Sequence, residues 1–507
     1  MLVRVVVGDC SAAMRLAVVG CSHGALTDIY ASIQAASDAA VARGEAAVDC
    51  VLLCGDFQAL RHGQDTLDMA VPDKYRALGQ FHDYYAGRKK APFVTIVIGG
   101  NHESSAYMRE LANGGFLAPN IYFGGFAGVV RLGHRTRGPR VACASGIWNA
   151  KSFRMGHWEQ TPFDKGSLRS VYHIREFDTA RLLQLANSPA QGTRSVDVFM
   201  SHDWPQGIEH EGDLEALLRA KPFFKDDIRT GQLGSPPLRA ILRALRPSFW
   251  FAAHLHVKFA ALVHHDGSKT RVVPRGNQGG ANPDEIALND EEGEGNVEES
   301  TEKAENPDEI ALESSDDDEV DETAPVESAK AHERQQANDD NPDEIALDDE
   351  DDGVPAPALA TAAAASTSAS GNGGAATTRF LALDKPGYRR HFFQVVDVVD
   401  EEGDVEWERD AEGRVRLFPD AHWLAIMRAT DPYLPLSRAP ARLPPAGKLQ
   451  QELDEAAEWV TEHVGTQESV PPLDQVQTFQ MTAPPTDDLG RSPDVPRACV
   501  SQLPTVL

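Results

Sequence analysis

The sequence predicts an α/β fold over roughly its first 270 residues, joined through a strongly acidic segment to a shorter second stretch of ordered chain. Three observations carry this. Apolar, β-branched runs alternate with helix-forming segments. Five of those runs end in a cluster of Gly, Cys, Asp, Asn or His, the residue types that open α/β sheets place at their carboxyl edges to hold ligands. Charge is also segregated. Residues 1–280 carry 32 Lys+Arg against 25 Asp+Glu, residues 281–353 carry 3 against 30, and residues 354–507 carry 13 against 22. The formal charge of −29 therefore averages a mildly basic body, suited to a polyanionic substrate, with an acidic appendage.

The elements follow in order. Residues 1–13 read as an N-terminal extension before the first core strand at 15–20, which runs into Cys21-Ser22-His23-Gly24. An Ala-rich helix is expected at 27–43, closed by Gly44. A second strand, 48–53, ends in Cys54-Gly55-Asp56-Phe57-Gln58. A polar stretch, read as helical, leads to a third strand at 93–98 and to Gly99-Gly100-Asn101-His102-Glu103. Strands are expected at 121–123, 128–132 and 141–144. Residues 145–173 are polar and aromatic without a clear period, and a loop that long inside a compact domain is usually functional. A helix at 177–186 and a strand at 196–200 lead to Ser201-His202-Asp203. A helix at 238–245 and an apolar run at 247–253 lead to His254-Leu255-His256, with a further strand at 259–263.

Beyond residue 280 the pattern changes. Asn-Pro-Asp-Glu-Ile-Ala-Leu occurs three times, at 282–288, 306–312 and 341–347, with unequal spacing that excludes a solenoid. Low hydrophobicity and high charge predict disorder across 281–376, whose last part is an Ala/Ser/Gly/Thr-rich linker. The repeats read either as an expanded acidic spacer or as docking motifs for protein partners, with Ile and Leu as anchors. Order is expected to return over 377–435, with strands at 379–383 and 392–398 and a helix at 417–429. Residues 436–507 read as a largely disordered tail with one amphipathic candidate at 448–463. The six cysteines are scattered and mostly sit in apolar runs, so no disulfide framework is expected. No apolar run approaches the ~20 residues that cross a bilayer, and no membrane partner is expected.

The polar strand ends define a chemistry. Two divalent ions ~3.5–4 Å apart can clamp the attacking and leaving oxygens of a phosphoryl displacement. They need a bridging carboxylate, for which Asp56 is the candidate, several imidazoles, and neutral or thiolate ligands that limit the charge. In a His-x-His on an extended chain both rings fall on one side, so His254 and His256 are expected to reach the same cluster.

The order Cys-x-His, Gly-Asp, Gly-Asn-His-Glu, strand-His and His-x-His resembles the calcineurin-like metallophosphoesterases. Cys21 in place of the usual first Asp, the Ala253-His254-Leu255-His256-Val257-Lys258-Phe259 run and the aromatic loop ending in 169–175 narrow the resemblance to the RNA lariat debranching family. Residues 379–385 and 389–396 resemble that family's C-terminal domain. The resemblance implies a two-sheet sandwich flanked by helices over residues 14–280. It implies hydrolysis of the 2′–5′ phosphodiester at the branch point of excised lariat RNA, in the nucleus, with no DNA substrate. Cys21, His23 and His256 would hold one divalent ion and Asn101, His202 and His254 the other, bridged by Asp56, with Fe and Zn or Mn expected. His102 would protonate the leaving 2′-oxygen. Residues 143–173 would form the lariat-recognition loop, with Arg154, His157, Trp158, Arg169, Tyr172 and His173 against the RNA. Two departures stand out: Ser22 where many members have a second Cys, and Lys385-Pro386-Gly387 where they often have a Cys-containing turn. Two alternatives stay open: another dinuclear phosphoesterase on the same scaffold, a nuclease or phosphatase, and a non-catalytic binding protein.

Overall fold

Two β-sheets face each other across a dry core, and every strand named above contributes to one of them. The computed structural model describes residues 13–187, 196–267, 376–399 and 405–486. The repeats, the acidic segment and nearly all of the N-terminal extension lie outside the described residues. The strands are β1 (Ala13–Val19), β2 (Cys50–Leu53), β3 (Val94–Val97), β4 (Gly115–Ala118), β5 (Ile121–Phe123), β6 (Ala127–Leu132), β7 (Arg140–Ala144), β8 (Val198–Ser201), β9 (Phe249–Ala252), β10 (Phe259–His264), β11 (Thr377–Ala382), β12 (Phe393–Val399) and β13 (Leu417–Pro419). The first sheet has the order β12-β1-β2-β3-β5-β4 and the second β10-β11-β9-β8-β7-β6-β13. In each, the central strands are parallel and the edges antiparallel.

Period-two alternation sorts the side chains into layers. Leu16 and Val18 of β1, Val141 and Cys143 of β7, Val198 and Met200 of β8 and Leu381 of β11 fill the space between the sheets. Their neighbours point outward and are covered by helices: α1 (Leu26–Ala42), α2 (Phe81–Tyr85), α3 (Ser105–Glu110), α4 (Ala150–Phe153), α5 (Lys165–Ser170), α6 (Glu176–Leu183), α7 (Leu214–Ala220), α8 (Phe224–Thr230), α9 (Pro236–Leu245), α10 (Ala421–Thr430), α11 (Ala446–His463) and α12 (Leu473–Val476). Ile29, Tyr30 and Ile33 of α1 cover Ala17 and Val19 of β1. Leu238, Ile241 and Leu242 of α9 and Trp423 and Ile426 of α10 cover Phe199 and Trp250 on the far face of the other sheet. Strands buried on both faces read as continuous apolar runs, which is why they were visible in the sequence. Cys21, Cys50, Cys54 and Cys143 are buried free thiols.

The strands of the C-terminal stretch join both sheets of the body. β11 inserts between β9 and β10, β12 forms an edge of the first sheet beside β1, and β13 closes the far edge of the second beside β6. Order also continues past residue 435: Leu449, Leu453, Ala456 and Val460 of α11 join the core around α10. The expectation of a largely disordered tail therefore fails for 436–486. Its one amphipathic segment finds an apolar partner in α10. Residues 417–429 divide into β13 and α10 rather than one helix. Pro419 lies in β13, and Asp420 starts α10 by accepting the Trp423 N–H at 3.0 Å.

Asp420 also receives two buried arginines. Arg140 donates to both its oxygens, at 2.8 and 2.7 Å, and Arg131 to Oδ2 at 3.0 Å. The two guanidinium groups hold its carboxyl below the usual carboxylate range although burial opposes this. This knot ties β6 and β7 to the C-terminal helix. Asp420→Ala leaves both cations buried without it and removes the cap, so urea unfolding is expected to show a loss of about 3–5 kcal/mol. A loss below about 1 kcal/mol, the level of an exposed pair, would remove the knot from the account.

Candidate metal centre

The five polar strand ends meet at one joint edge of the two sheets. β1 leads to Cys21 and His23, β2 to Asp56 and β3 to Asn101 and His102; from the other sheet, β8 leads to His202 and β9 to His254 and His256. The local backbone is unusual. His23, Asp56, His254 and His256 have φ of 42°, 46°, 64° and 46°, four of the non-glycine left-handed residues in the described chain. Each such conformation costs about 1–3 kcal/mol and persists where the surroundings enforce it, typically at functional sites. Two glycines make room for the approach. Gly55 has φ 106°, and a Cβ there would strike the His202 ring; a Cβ on Gly100 would strike Asp56 and His202.

Asp56 lies at the centre. Its Oδ1 is 3.3 Å from His202 Nε2 and accepts the His102 backbone N–H at 2.9 Å, while its Oδ2 is 3.7 Å from His23 Nε2. Cys21 Sγ and ligand atoms of His23, Asp56 and His256 all lie within 4.8 Å of one another, and His23 Nε2 is 3.1 Å from His256 Nε2. On the other side of Asp56, His202 Nε2 faces Asn101 Oδ1 at 3.3 Å, and the His254 ring centre is 5.0 Å from that of His202. His202 donates its Nδ1–H to the Cys54 carbonyl at 2.7 Å, which leaves Nε2 as the acceptor in the neutral ring. The seven residues expected as ligands thus form two groups sharing one carboxylate.

The donor set fits divalent cations. Nitrogen, sulfur and oxygen atoms able to ligate a metal converge on one another. Burial keeps three imidazoles neutral, lowering His23 to about 4, His254 to about 3 and His256 to about 2. Burial disfavours charge on Asp56, but the His202 and His102 rings outweigh it and hold the carboxyl well below its usual range. Burial and the Asp56 charge raise the Cys21 thiol, so a cation has to displace its proton on binding. Cys21 Sγ accepts the His254 backbone N–H at 3.2 Å, which ties the β1 and β9 loops together.

His254-Leu255-His256 is not the extended chain that the His-x-His expectation requires. Both histidines are left-handed, and the Leu255 N–H closes a tight bend on the Ala253 carbonyl at 2.8 Å. The bend sends His254 towards His202 and His256 towards His23, one to each side of Asp56.

Two supporting residues were quoted in the motifs without a role. Glu103 accepts the backbone N–H of Phe57 at 2.6 Å, Gln58 at 2.8 Å and Gly100 at 3.0 Å, pinning the Asp56 loop to the Asn101 loop. Burial and Asp56 push its carboxyl up to about 7. Asp203 accepts the Trp148 N–H at 3.0 Å and anchors the 145–173 loop to the end of β8. Only a carboxylate next to a ligand hinted at these roles, because their partners are backbone groups far away in sequence.

The 145–173 loop folds against the Asn101 loop: the Gly146 N–H donates to the Gly99 carbonyl at 2.8 Å, and Ser145 Oγ accepts the Gly99 N–H at 3.0 Å. A mainly apolar cleft between them is lined in part by Gly100, Glu103, Ser145, Tyr172 and His173. The six residues expected to touch substrate divide. Arg154 and Arg169 are exposed. Tyr172 and His173 are half-buried beside the cleft, with His173 Nδ1 3.0 Å from Ser152 Oγ. Trp158 has the Arg438 guanidinium 4.0 Å over its ring. His157 is the correction: it is buried, bonded to Asp178 at 2.8 Å and stacked on Phe126, a packing role that leaves no face for RNA.

Glu103→Ala removes the clamp without touching a ligand atom. Metal affinity, measured by equilibrium dialysis, is expected to fall about 10–100-fold while the fold survives. Unchanged affinity would reduce Glu103 to a packing residue.

Comparison with known proteins agrees with this geometry. Residues 14–258 match the calcineurin-like phosphoesterase family and residues 375–500 the lariat debranching enzyme C-terminal domain. The chain is 47% identical over 262 residues to the lariat debranching enzyme of Danio rerio, covering 52% of this chain and 43% of that protein. It is 46% identical over 252 residues to that of Homo sapiens, covering 50% and 44%, and 46% identical over 262 residues to that of Arabidopsis thaliana, covering 51% and 59%. The aligned chain spans about half the length of these curated relatives. The centre around Asp56 thus lies within the segment that matches the calcineurin-like phosphoesterase family, and the strands β12 and β13 and helices α10 to α12 lie within the segment that matches the lariat debranching enzyme C-terminal domain.

Proposed function

We propose that the chain hydrolyses the 2′–5′ phosphodiester at the branch point of lariat RNA, as a metal-dependent phosphodiesterase acting in the nucleus. One observation carries the reading. The 14–258 match contains Cys21, His23, Asp56, Asn101, His202, His254 and His256 gathered around one carboxylate with His102 beside them, in a chain whose similar relatives are named lariat debranching enzymes. Bound as a pair, divalent cations supply charge neutralisation on the phosphate and a water activated for in-line attack. Thiolate and imidazole ligands favour Zn and Fe, with Mn as a substitute.

The chain's own residues do the rest. Asp56 fixes the spacing of the two ligand groups. The backbone N–H of His102 is anchored on Asp56 Oδ1 at 2.9 Å, which sets its ring beside His23, with centroids 5.3 Å apart. From there the His102 imidazole delivers a proton to the leaving 2′-oxygen. DNA has no 2′-oxygen and is not a substrate. The exposed Arg154 and Arg169 hold phosphates of the unpaired arm on the 145–173 loop, and Tyr172 offers a ring for a base. The Asn-Pro-Asp-Glu-Ile-Ala-Leu copies present Ile and Leu in an acidic frame to protein partners.

The test is hydrolysis of a short branched RNA beside its linear 3′–5′ isomer, with metal and with chelator. Selective, chelator-sensitive release of the branch is expected, and His102→Ala is expected to lower kcat about 10²–10⁴-fold with metal content retained. Equal cleavage of both isomers would make the chain a general nuclease. No cleavage of either by metal-loaded protein would point to a different phosphate ester.

A further inference from the structure

The carboxyl edge of the two sheets carries loops in a fixed order. At one end lies the 145–173 loop, following β7, beside Asn101 and His102 from β3. Then come Asp56 and His202 from β2 and β8, then Cys21 and His23 with His254 and His256 from β1 and β9. Beyond them, at the other end, lies the turn 384–392 between β11 and β12. Its placement is set by main-chain bonds: the Leu383 N–H donates to the Ala252 carbonyl at 3.2 Å, and the Gly20 N–H to the Phe392 carbonyl at 2.9 Å. A Cβ on Gly20, one residue before Cys21, would strike the Leu383 and Asp384 carbonyls. The C-terminal stretch thus reaches back to form a wall of the metal centre.

That wall has the chemistry of a nucleic-acid surface. It carries Lys385, Arg389, Arg390 and His391 against one acid, Asp384, which is bonded to Arg390 at 2.9 Å. Lys385 is half-buried in this turn, and its charge acts on Cys21, Asp56, His23 and His256. Tyr388 is 82% exposed, the most exposed large hydrophobic residue of the described chain, with the Arg389 guanidinium 5.0 Å from its ring centre. A solvent-facing ring beside a cation is thereby brought to the rim of the centre.

We infer that the 384–392 turn is a second single-strand platform that holds an arm of the RNA on the side of the metal centre opposite the 145–173 loop. The inference rests on the RNA-hydrolase reading for its substrate class, and on the geometry above for its place. A branched RNA sends more than one arm away from the scissile phosphate, so a site that reads a branch needs a surface on each side. Aromatic rings accept any base by stacking, and the adjacent cations take the phosphates, so the platform is sequence-tolerant.

The test is equilibrium binding of the metal-loaded full chain to a labelled branched RNA and to a linear oligouridylate, by fluorescence anisotropy over a range of salt. Tyr388→Ala is expected to weaken binding about tenfold, as for one stacked base, and Tyr388→Phe, which keeps the ring, to restore it. Arg389→Ala is expected to flatten the dependence of log K on log salt by about 0.7, the value for one phosphate contact on a single strand. Both substitutions lie in an exposed turn, and thermal unfolding checks that the fold is kept. Unchanged affinity and salt slope in both variants would overturn the platform. A wild-type chain that binds the oligouridylate with these sensitivities but does not cut the branch would support the platform and contradict the debranching reading.

Discussion

One carboxylate sets the geometry of the molecule's working edge. Asp56 turns one oxygen to His202 and the other to His23, and takes the backbone N–H of His102 on the first. A buried carboxylate in an apolar sandwich is costly unless cations or donors surround it. Here the surroundings come from both sheets, so the site exists only when the sheets are correctly stacked. The left-handed backbone at His23, Asp56, His254 and His256 has the same cause. Each strand has to turn sharply as it leaves the sheet, so that its side chain points back across the joint edge. The rigidity of the stacked strands stabilises those turns, and Glu103 adds three backbone bonds that lock two of the loops together.

The late part of the chain completes what the early part begins. β11 is inserted within the second sheet, and β12 covers the open edge of β1. Asp420 then fastens the C-terminal helices to β6 and β7 through two buried guanidinium groups. The acidic segment separates these late strands from the body in sequence, yet they belong to the same compact unit as the body. Because the β11–β12 turn lies beside Cys21, the C-terminal stretch contributes to the rim of the centre as well as to the core.

Local patterns revealed much of this. Both-face burial makes β1, β2, β3, β8 and β9 read as continuous apolar runs, and a polar cluster after each marks the residues that meet around Asp56. What was not legible had non-local causes. β4 and α3 are short and weakly periodic, and their burial against Phe123 and Tyr85 is a tertiary matter. The weave of β11 through the second sheet leaves no trace in the order of residues. His157 looked like an RNA contact because it sits in an aromatic, basic stretch; its partner Asp178 is helical and 21 residues away. The bend at His254-Leu255-His256 was missed because period-two reasoning assumes extended backbone, and both histidines violate it.

The proposed hydrolysis requires two cations that share Asp56, with Cys21 on one of them. The most direct measurement is crystallography of the metal-loaded chain with anomalous diffraction at the edges of Mn, Fe and Zn. The account predicts two peaks ~3.5–4 Å apart on either side of Asp56. One of them is predicted to lie ~2.3 Å from Cys21 Sγ if it is Zn. A single ion, or a pair whose ligands exclude Cys21, would contradict it.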